Sequence, residues 1–229
     1  MTALLWKKPK FILAFSLFLF CLFGALFGET MDEIWGDKQL LPLDQATSHW
    51  MSVNQEPYDR LFFLIITDLS EGGILAALTL LIAAGLWFYR RRLESIVFVG
   101  GFGVTGVSVY ILKFLTDRAR PAGASLLHET SGAFPSGHAA LSFFFFGFLA
   151  YVLSRKVKKK SYSIFVFTAG LLMAGLIGVS RVYLNVHWVS DVLGGFALAA
   201  AFLSLCIGFL EMQKKTKLDF FIKAPDTHL

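Results

Sequence analysis

Long apolar runs dominate this chain and limit the folds that it can adopt. Several of them have the length of about 17–25 residues with which a helix crosses a bilayer. Six membrane helices are predicted, at roughly 11–28, 72–89, 95–115, 138–154, 162–180 and 189–211. A soluble helical protein would need charged faces on its helices, yet most of these runs have none, and only 16% of the 229 residues are charged. The sequence therefore predicts an all-α integral membrane bundle of six transmembrane helices, with residues 1–229 forming a single domain.

The first apolar run follows three lysines, and a cleaved signal peptide would begin in the same way. The run from Phe11 to Gly28 is longer than the core of about 7–15 residues that is usual in a signal peptide. We therefore expect this segment to remain in the protein as its first membrane helix.

The longest polar segment, residues 29–71, joins the first two predicted spans. Its Trp35 and Trp50 are of a type that favours the lipid–water interface. Phe62–Ile66 is a short apolar run that predicts an interfacial helix, and Gly72-Gly73 mark the expected bend into the second span. The sequence thus predicts an external polar loop that carries short interfacial helices.

Most lysines and arginines are gathered in four clusters. The clusters are Lys7, Lys8 and Lys10; Arg90, Arg91 and Arg92; Arg155, Lys156, Lys158, Lys159 and Lys160; and Lys214, Lys215, Lys217 and Lys223. With six spans, all four clusters fall on one side of the membrane, which the positive-inside rule makes the cytoplasmic side. Both termini, including a solvated tail at 212–229, are then expected in the cytoplasm. The loops that hold the three motifs described next fall on the external face.

The first motif consists of Lys113, six intervening residues, and Arg120-Pro121. Lys113 lies near the outer end of the third predicted span, where an ionisable side chain is costly unless it is paired or reaches water. Taken alone, a lysine that extends its ammonium group to the interface is the more ordinary explanation. Pro121 disfavours helical geometry at Arg120, whose guanidinium is suited to bidentate contact with phosphate oxygens.

The second motif, Pro135-Ser136-Gly137-His138, opens the fourth predicted span. The unpaired N–H groups and the positive dipole end of a helix N-terminus favour an anion. Gly137 allows the backbone to approach a ligand closely, and the Ser136 hydroxyl can donate a hydrogen bond. An ordinary N-cap would also explain Ser136, but it leaves His138 unexplained at the mouth of an apolar helix.

The third motif contains Ser180-Arg181 at the end of the fifth predicted span, then His187 and Asp191 at the start of the sixth. If the helix already runs through Asp191, these last two side chains are four residues apart and share a face. The carboxylate would then accept from one ring nitrogen and leave the other as a nucleophile. An interfacial histidine beside an acid that favours a helix N-terminus explains the pair equally well.

A zinc site built from the two histidines and Asp191 is a competing interpretation. These residues lack a HExxH-type spacing, and the lysine and arginines of the three motifs would repel a cation. Cys21 and Cys206 lie inside apolar runs, so neither a disulfide framework nor a cysteine-ligated zinc is indicated. The motifs therefore favour an anionic ligand, and we expect neither a metal nor another cofactor.

The three stretches resemble the signature of the type 2 phosphatidic acid phosphatase superfamily of lipid phosphatases, which is related to vanadium haloperoxidases. Every signature position is matched, and the six-span layout agrees over nearly the whole chain. Residues 134–138 and 180–187 look most like those of the bacterial members, which include the phosphatidylglycerophosphatase B type and the undecaprenyl-diphosphate phosphatases.

The resemblance implies a role for each signature residue. His187 would be the nucleophile that takes the phosphoryl group, and Asp191 would orient and polarise it. His138 would protonate the leaving group and then activate water. The remaining positions would hold the phosphate oxygens: Lys113, Arg120, Ser136, Gly137 and Arg181. Arg118 and His128 lie outside the signature, so no catalytic role is expected for them.

The favoured function is metal-independent hydrolysis of lipid phosphates at the outer face of the cytoplasmic membrane, through a phosphohistidine. Phosphatidylglycerophosphate, phosphatidate, lysophosphatidate and undecaprenyl diphosphate all fit the motifs. A lipid phosphotransferase would share the first half-reaction and use another alcohol in place of water. An anion transporter would need ionisable residues in the middle of its spans, whereas the charges here cluster at one face. The expected partners are the lipid substrate and the bilayer and not nucleic acid, and the sequence leaves the oligomeric state open.

Overall fold

The structure is a computed structural model that describes residues 9–36, 40–121, 131–155 and 159–223. This part of the chain contains eight helices and no strand. The helices are α1 (Pro9–Trp35), α2 (Leu40–Val53), α3 (Pro57–Asp68), α4 (Gly72–Phe88), α5 (Arg92–Thr116), α6 (Gly137–Ser154), α7 (Lys160–Tyr183) and α8 (Val189–Lys223). The prediction of an all-α protein is confirmed.

Five of these helices, α1, α5, α6, α7 and α8, are long and apolar enough to cross a membrane. Helices α3 and α4 form a bend of 45° and meet the same length and hydropathy requirement only as a pair, so they are the candidate for a sixth span. The break falls at 69–71, directly before the two glycines that were expected to mark it. With this bent pair counted as one span, the layout agrees with the predicted six.

The boundaries of two helices differ from the prediction. The first span does not end at Gly28, because α1 continues through polar residues to Trp35. Helix α8 continues beyond residue 211 to Lys223, so the first part of the predicted tail is helical. Within the loop at 29–71, α2 and α3 account for most of the remaining residues, and α3 contains the predicted interfacial segment Phe62–Ile66.

A phenylalanine-rich core holds α5, α6 and α8 together. The rings of Phe98 and Phe148 stack with centroids 4.5 Å apart, and both side chains are fully buried. Two glycines let the helices approach closely at neighbouring contacts. A Cβ atom on Gly101 would lie 2.3 Å from the Phe144 ring, and one on Gly147 would lie 2.4 Å from Leu203. A core packed this densely is hardly compressible, so it holds the three helices in fixed positions relative to one another.

The two ends of the bundle differ in chemistry. At one end, a cavity of about 550 Å³ between the α4–α5 turn and α8 near Leu210 and Gln213 is lined by Arg90, Arg91 and Arg92. At the same end Arg155 forms an ion pair with Glu211 of α8. The end of α5, the start of α6, the α7–α8 connection and the start of α8 lie at the other end, where the three motifs are found. Lys7, Lys8, Lys156 and Lys158 lie outside the described residues.

Candidate active site

The connection between α7 and α8 is a tight turn that brings His187 into the protein. The backbone N–H groups of Val186 and His187 both donate to the carbonyl of Arg181, across 3.2 and 3.3 Å. Asn185 has a left-handed backbone with φ of 55°, a conformation that Asn adopts more readily than most residues. The turn leaves the His187 side chain 2% exposed at the N-terminus of α8.

His187 and Asp191 form the predicted pair, although His187 lies in the turn before α8 and the two do not share a helix face. Nδ1 of His187 lies 3.2 Å from Oδ2 of Asp191, and the same oxygen accepts a hydrogen bond of 2.9 Å from the backbone N–H of Trp188. A carboxylate at Nδ1 fixes the orientation of the ring and favours the tautomer with its lone pair on Nε2. In this tautomer Nδ1 donates to the carboxylate and Nε2 carries the lone pair.

Arg120 lies at that second nitrogen. Its Nη1 is 3.4 Å from Nε2 of His187 and donates to the carbonyl of Val186 across 2.7 Å. Its Nε donates to the carbonyl of Ser131 across 3.1 Å. The guanidinium thus joins the segment before α6 to the α7–α8 turn and brings a positive charge beside the imidazole.

Lys113, on the last turn of α5, binds the segment that leads into α6. Its ammonium group donates to the carbonyl of Gly132 across 2.5 Å. The two backbones are close here, because a Cβ atom on Gly132 would lie 2.7 Å from the carbonyl oxygen of Lys113. Thr116 adds a hydrogen bond of 3.0 Å from its hydroxyl to the carbonyl of Phe134. The end of α5 therefore positions the start of α6.

Ser136 connects α6 to α8 and also caps α6. Its backbone N–H donates to the carbonyl of Asp191 across 2.9 Å, and its hydroxyl accepts from the N–H of Ala139 across 3.5 Å. The ordinary N-cap interpretation of Ser136 is therefore realised, and it coexists with a position beside Asp191. Gly137 and His138 follow as the first two residues of α6, and the His138 side chain is half-buried.

Arg181 is buried and points a donor towards α3. Its Nη1 donates to the hydroxyl of Thr67 across 2.7 Å, and both side chains are almost fully buried. A guanidinium has five N–H donors, so this contact accounts for one of them. The structure thus connects Arg181 with a helix that the sequence did not relate to it, and phosphate binding by Arg181 stays a prediction.

Arg118 is part of the site, although the sequence assigned it no role. Its Nη1 donates to Oδ1 of Asp191 across 2.5 Å and to the hydroxyl of Ser190 across 2.7 Å. Its Nη2 donates to Oδ2 of Asp44, on α2, across 2.8 Å. The ring of Trp188 lies over the guanidinium at 5.7 Å. His128, the other residue set aside, lies outside the described residues.

Asp44 was also missed, because nothing in its local sequence relates it to the motifs. Its two carboxylate oxygens accept from Ser190, Oδ1 from the backbone N–H across 3.0 Å and Oδ2 from the hydroxyl across 2.5 Å. An acid in an interfacial helix is ordinary, and only its burial marks it as unusual. The burial of Asp44 becomes visible only once α2 is placed on the bundle.

The assembled site is suited to an anion. Lys113 and Arg120 bring two positive charges to the segment before α6 and to the α7–α8 turn. Arg181 adds a third at the end of α7, where its guanidinium contacts Thr67. Within the described residues, no group of three or more His, Cys, Asp or Glu side chains is placed to hold a metal ion. Positive charge of this kind, held in a fixed arrangement, stabilises the negative charge that develops on a transferring phosphoryl group.

The PAP2 superfamily model matches residues 94–215, which include all three motifs. Phosphatidylglycerophosphatase B of Bacillus subtilis (strain 168) is 36% identical over 178 residues, which cover 75% of this chain and 85% of that protein.

Two solved structures have related folds. The transmembrane PAP2-type phosphatidylglycerolphosphate phosphatase from Bacillus subtilis matches with a TM-score of 0.74 and 31% identity, covering 86% of this chain and 96% of that one. LpxE of Aquifex aeolicus matches in fold with a TM-score of 0.53 and 24% identity, covering 75% of this chain and 95% of that one. The expected resemblance is confirmed: the chain belongs to the PAP2 superfamily and is a multi-pass membrane phosphatase.

Proposed function

We propose that this protein hydrolyses lipid phosphates through a phosphohistidine formed on His187. The observation that carries the proposal is the setting of the His187 ring, with Nδ1 beside Asp191 and Nε2 beside Arg120. In this proposal the carboxylate raises the nucleophilicity of Nε2, and the guanidinium beside Nε2 would donate to an oxygen of the attacked phosphate. Neither feature alone distinguishes a catalytic histidine from a structural one. Their occurrence on the two nitrogens of one ring favours the catalytic role.

The proposed reaction has two steps. First, Nε2 of His187 attacks phosphorus, the bond from phosphorus to the leaving oxygen breaks, and His138 gives its proton to that oxygen. Then His138 takes a proton from water, the resulting hydroxide attacks phosphorus, and the bond from phosphorus to nitrogen breaks. Inorganic phosphate leaves, and both histidines return to their starting states.

The phosphate would be held by the positive side chains and by the start of α6. Lys113, Arg120 and Arg181 supply charge, while the Ser136 hydroxyl and the N–H groups from Gly137 onward supply hydrogen bonds. Because phosphoryl transfer is chiefly a matter of positioning and charge stabilisation, this set needs no metal in the proposed reaction.

Phosphatidylglycerophosphate is our first choice of substrate. The membrane layout favours a substrate that is itself a lipid, and the similar proteins from Bacillus subtilis are named for phosphatidylglycerophosphate. Phosphatidate, a phosphomonoester, and undecaprenyl diphosphate, a phosphoanhydride, also carry a terminal phosphate on a lipid and are the alternatives. The site would face the outside, with both termini in the cytoplasm, since the arginine-rich turns lie at the opposite end of the bundle.

The test is phosphate release by the purified protein in detergent from these lipids, compared by relative kcat/KM. The wild type should release phosphate, His187→Ala should release none, and His138→Ala should accumulate an acid-labile, base-stable phosphoenzyme from labelled substrate. Asp59→Asn, which changes an exposed acid on α3, serves as the matched control. Near-normal release by His187→Ala would overturn the mechanism, and release from soluble esters only would overturn the lipid substrate.

A further inference from the structure

Asp44 is a buried carboxylate that none of the three motifs contains. It lies on α2, outside the family-matched residues 94–215, and its side chain is only 1% exposed. A buried carboxylate is costly unless it is paired and hydrogen-bonded. The contacts of Asp44 with Arg118 and Ser190 satisfy that requirement, and they also lead directly to Asp191.

The contacts form a continuous chain that ends at His187. Asp44 accepts from Nη2 of Arg118, while Nη1 of the same guanidinium donates to Oδ1 of Asp191. Oδ2, the other oxygen of Asp191, faces Nδ1 of His187. Arg118 thus occupies one carboxylate oxygen of Asp191 and leaves the other to the imidazole. Ser190 closes the arrangement, since its hydroxyl contacts both Asp44 and Arg118.

Helix α2 is held in place by a second contact on the same face. Ser48 lies one turn after Asp44, and its hydroxyl donates to the side-chain oxygen of Asn185 across 2.7 Å. Asn185 belongs to the turn that presents His187. One face of α2 therefore contacts the chain on both sides of His187. Ser48 contacts Asn185 before it, and Asp44 contacts Ser190 after it.

We propose that Asp44 is a positioning residue for the reaction, acting through Arg118 and Ser190 on Asp191. This inference rests on the proposed function, because it assumes that Asp191 orients a nucleophilic His187. Asp44 balances the charge of Arg118 and holds its guanidinium at Oδ1. Without the Asp44 carboxylate, the guanidinium of Arg118 would move closer to Asp191. It would then compete with Nδ1 of His187 for the negative charge of Asp191.

The substitution Asp44→Asn removes this function with little change in volume. Both oxygens of Asp44 accept hydrogen bonds, so either orientation of an amide would set an NH2 group against a donor. We expect kcat for lipid phosphate to fall about 10- to 100-fold, the range found when residues that orient the ligands of metal sites are removed, while KM stays within about twofold. Two controls should stay near wild type: Asp59→Asn for the lost surface charge, and Glu94→Gln for a buried, ion-paired acid at the opposite end.

A double-mutant cycle separates positioning from simple structural support. If Asp44 acts through Asp191, Asp44→Asn should cost less than about twofold further in an Asp191→Asn background. A purely structural role would lower activity by the same factor in both backgrounds, and that result would overturn the proposal. Thermal inactivation in detergent is measured for each variant. If Asp44→Asn does not fold, Ser190→Ala replaces it in the cycle. This change removes the hydroxyl that contacts Asp44 and Arg118 but keeps the Asp44–Arg118 ion pair. It should lower kcat less than Asp44→Asn and should likewise cost little further in the Asp191→Asn background.

The outcomes for the two proposals are distinct. A wild-type protein that releases no phosphate from any lipid phosphate overturns the proposed function and this inference with it. An active wild type whose Asp44→Asn and Ser190→Ala variants match Asp59→Asn overturns the positioning role alone. A fall in kcat that is lost in the Asp191→Asn background supports both.

Discussion

The backbone N–H of Ser136 donates to the backbone carbonyl of Asp191 across 2.9 Å, so the first turns of α6 and α8 are joined directly. His138 follows Ser136 by two residues, and His187 precedes Asp191 by four. The two histidines proposed to share the proton and phosphoryl transfers are therefore carried by elements whose separation is fixed by one main-chain contact. Replacing the side chain of Ser136 or Asp191 leaves this main-chain hydrogen bond in place. A bulkier residue packed against the backbone of Ser136 would disrupt it.

Gly195→Ala should separate these two helices and reduce activity. A Cβ atom on Gly195 would lie 2.7 Å from the carbonyl oxygen of Ser136, and backbone at that distance has to move. A shift of about 1 Å between reacting groups can cost on the order of 100-fold, and we expect a fall of that size in kcat/KM for lipid phosphate.

The control for this change is Gly103→Ala on α5. A Cβ atom there meets nothing within 4 Å, and alanine favours a helix over glycine, so activity and thermal stability should be unchanged or slightly raised. Wild-type kcat/KM in Gly195→Ala would mean that the spacing of α6 and α8 does not limit the reaction.

Thr67→Val should weaken the attachment of α3 to the site. The change keeps the shape of the side chain but removes the hydroxyl that accepts from Arg181. Hydrogen bonds to charged groups contribute about 1.5–3 kcal/mol, and the loss of this acceptor by a buried guanidinium should cost a similar amount. The expected result is a lower temperature of thermal inactivation in detergent together with reduced phosphate release.

Thr30→Val on α1 is the matched control, because its hydroxyl donates to the carbonyl of Leu26 within the same helix. This variant should behave as wild type. If Thr67→Val were equally unaffected, the contact between Thr67 and Arg181 would have no part in stability or activity.

The capping by Ser136 was accessible from the sequence, because it depends on local helix geometry. The contact of His187 with Asp191 was also predicted, but the turn before α8 brings it about and not a shared helix face, since α8 begins at Val189. The six spans were accessible from length and hydropathy, which the bilayer dictates. The contacts of Asp44 were not, since it meets Ser190 from 146 positions away in the chain. The partner of Arg181 was hidden for the same reason, as Thr67 is 114 positions away. Local patterns predicted the motifs, whereas the residues that support them required the tertiary arrangement of α2 and α3.

Phosphate release should survive chelation and be inhibited by vanadate. The described part of the site combines positive side chains with histidines and contains no cluster suited to a metal ion. Vanadate resembles the five-coordinate phosphorus of the transfer step and should compete with the lipid substrate. Arg120→Ala should weaken this inhibition, because the guanidinium beside Nε2 of His187 would be absent. Loss of activity in EDTA that Mg²⁺ or Zn²⁺ restores would contradict the proposed metal-independent mechanism.

The last prediction concerns the side of the membrane that the site faces. The arginine-rich turn before α5 and the turn after α6 lie at one end of the bundle, and the His187–Asp191 pair lies at the other. The positive-inside rule then puts the pair outside, within reach of lipids in the outer leaflet. Labelling with a membrane-impermeant thiol reagent in intact spheroplasts tests this, in a background where Cys21 and Cys206 are replaced by serine. Asn54→Cys, at the exposed connection between α2 and α3, should be labelled from outside, whereas Lys159→Cys should be labelled only after lysis. The cysteine-free background should show no labelling, and the reverse pattern would move the substrate to the cytoplasmic leaflet.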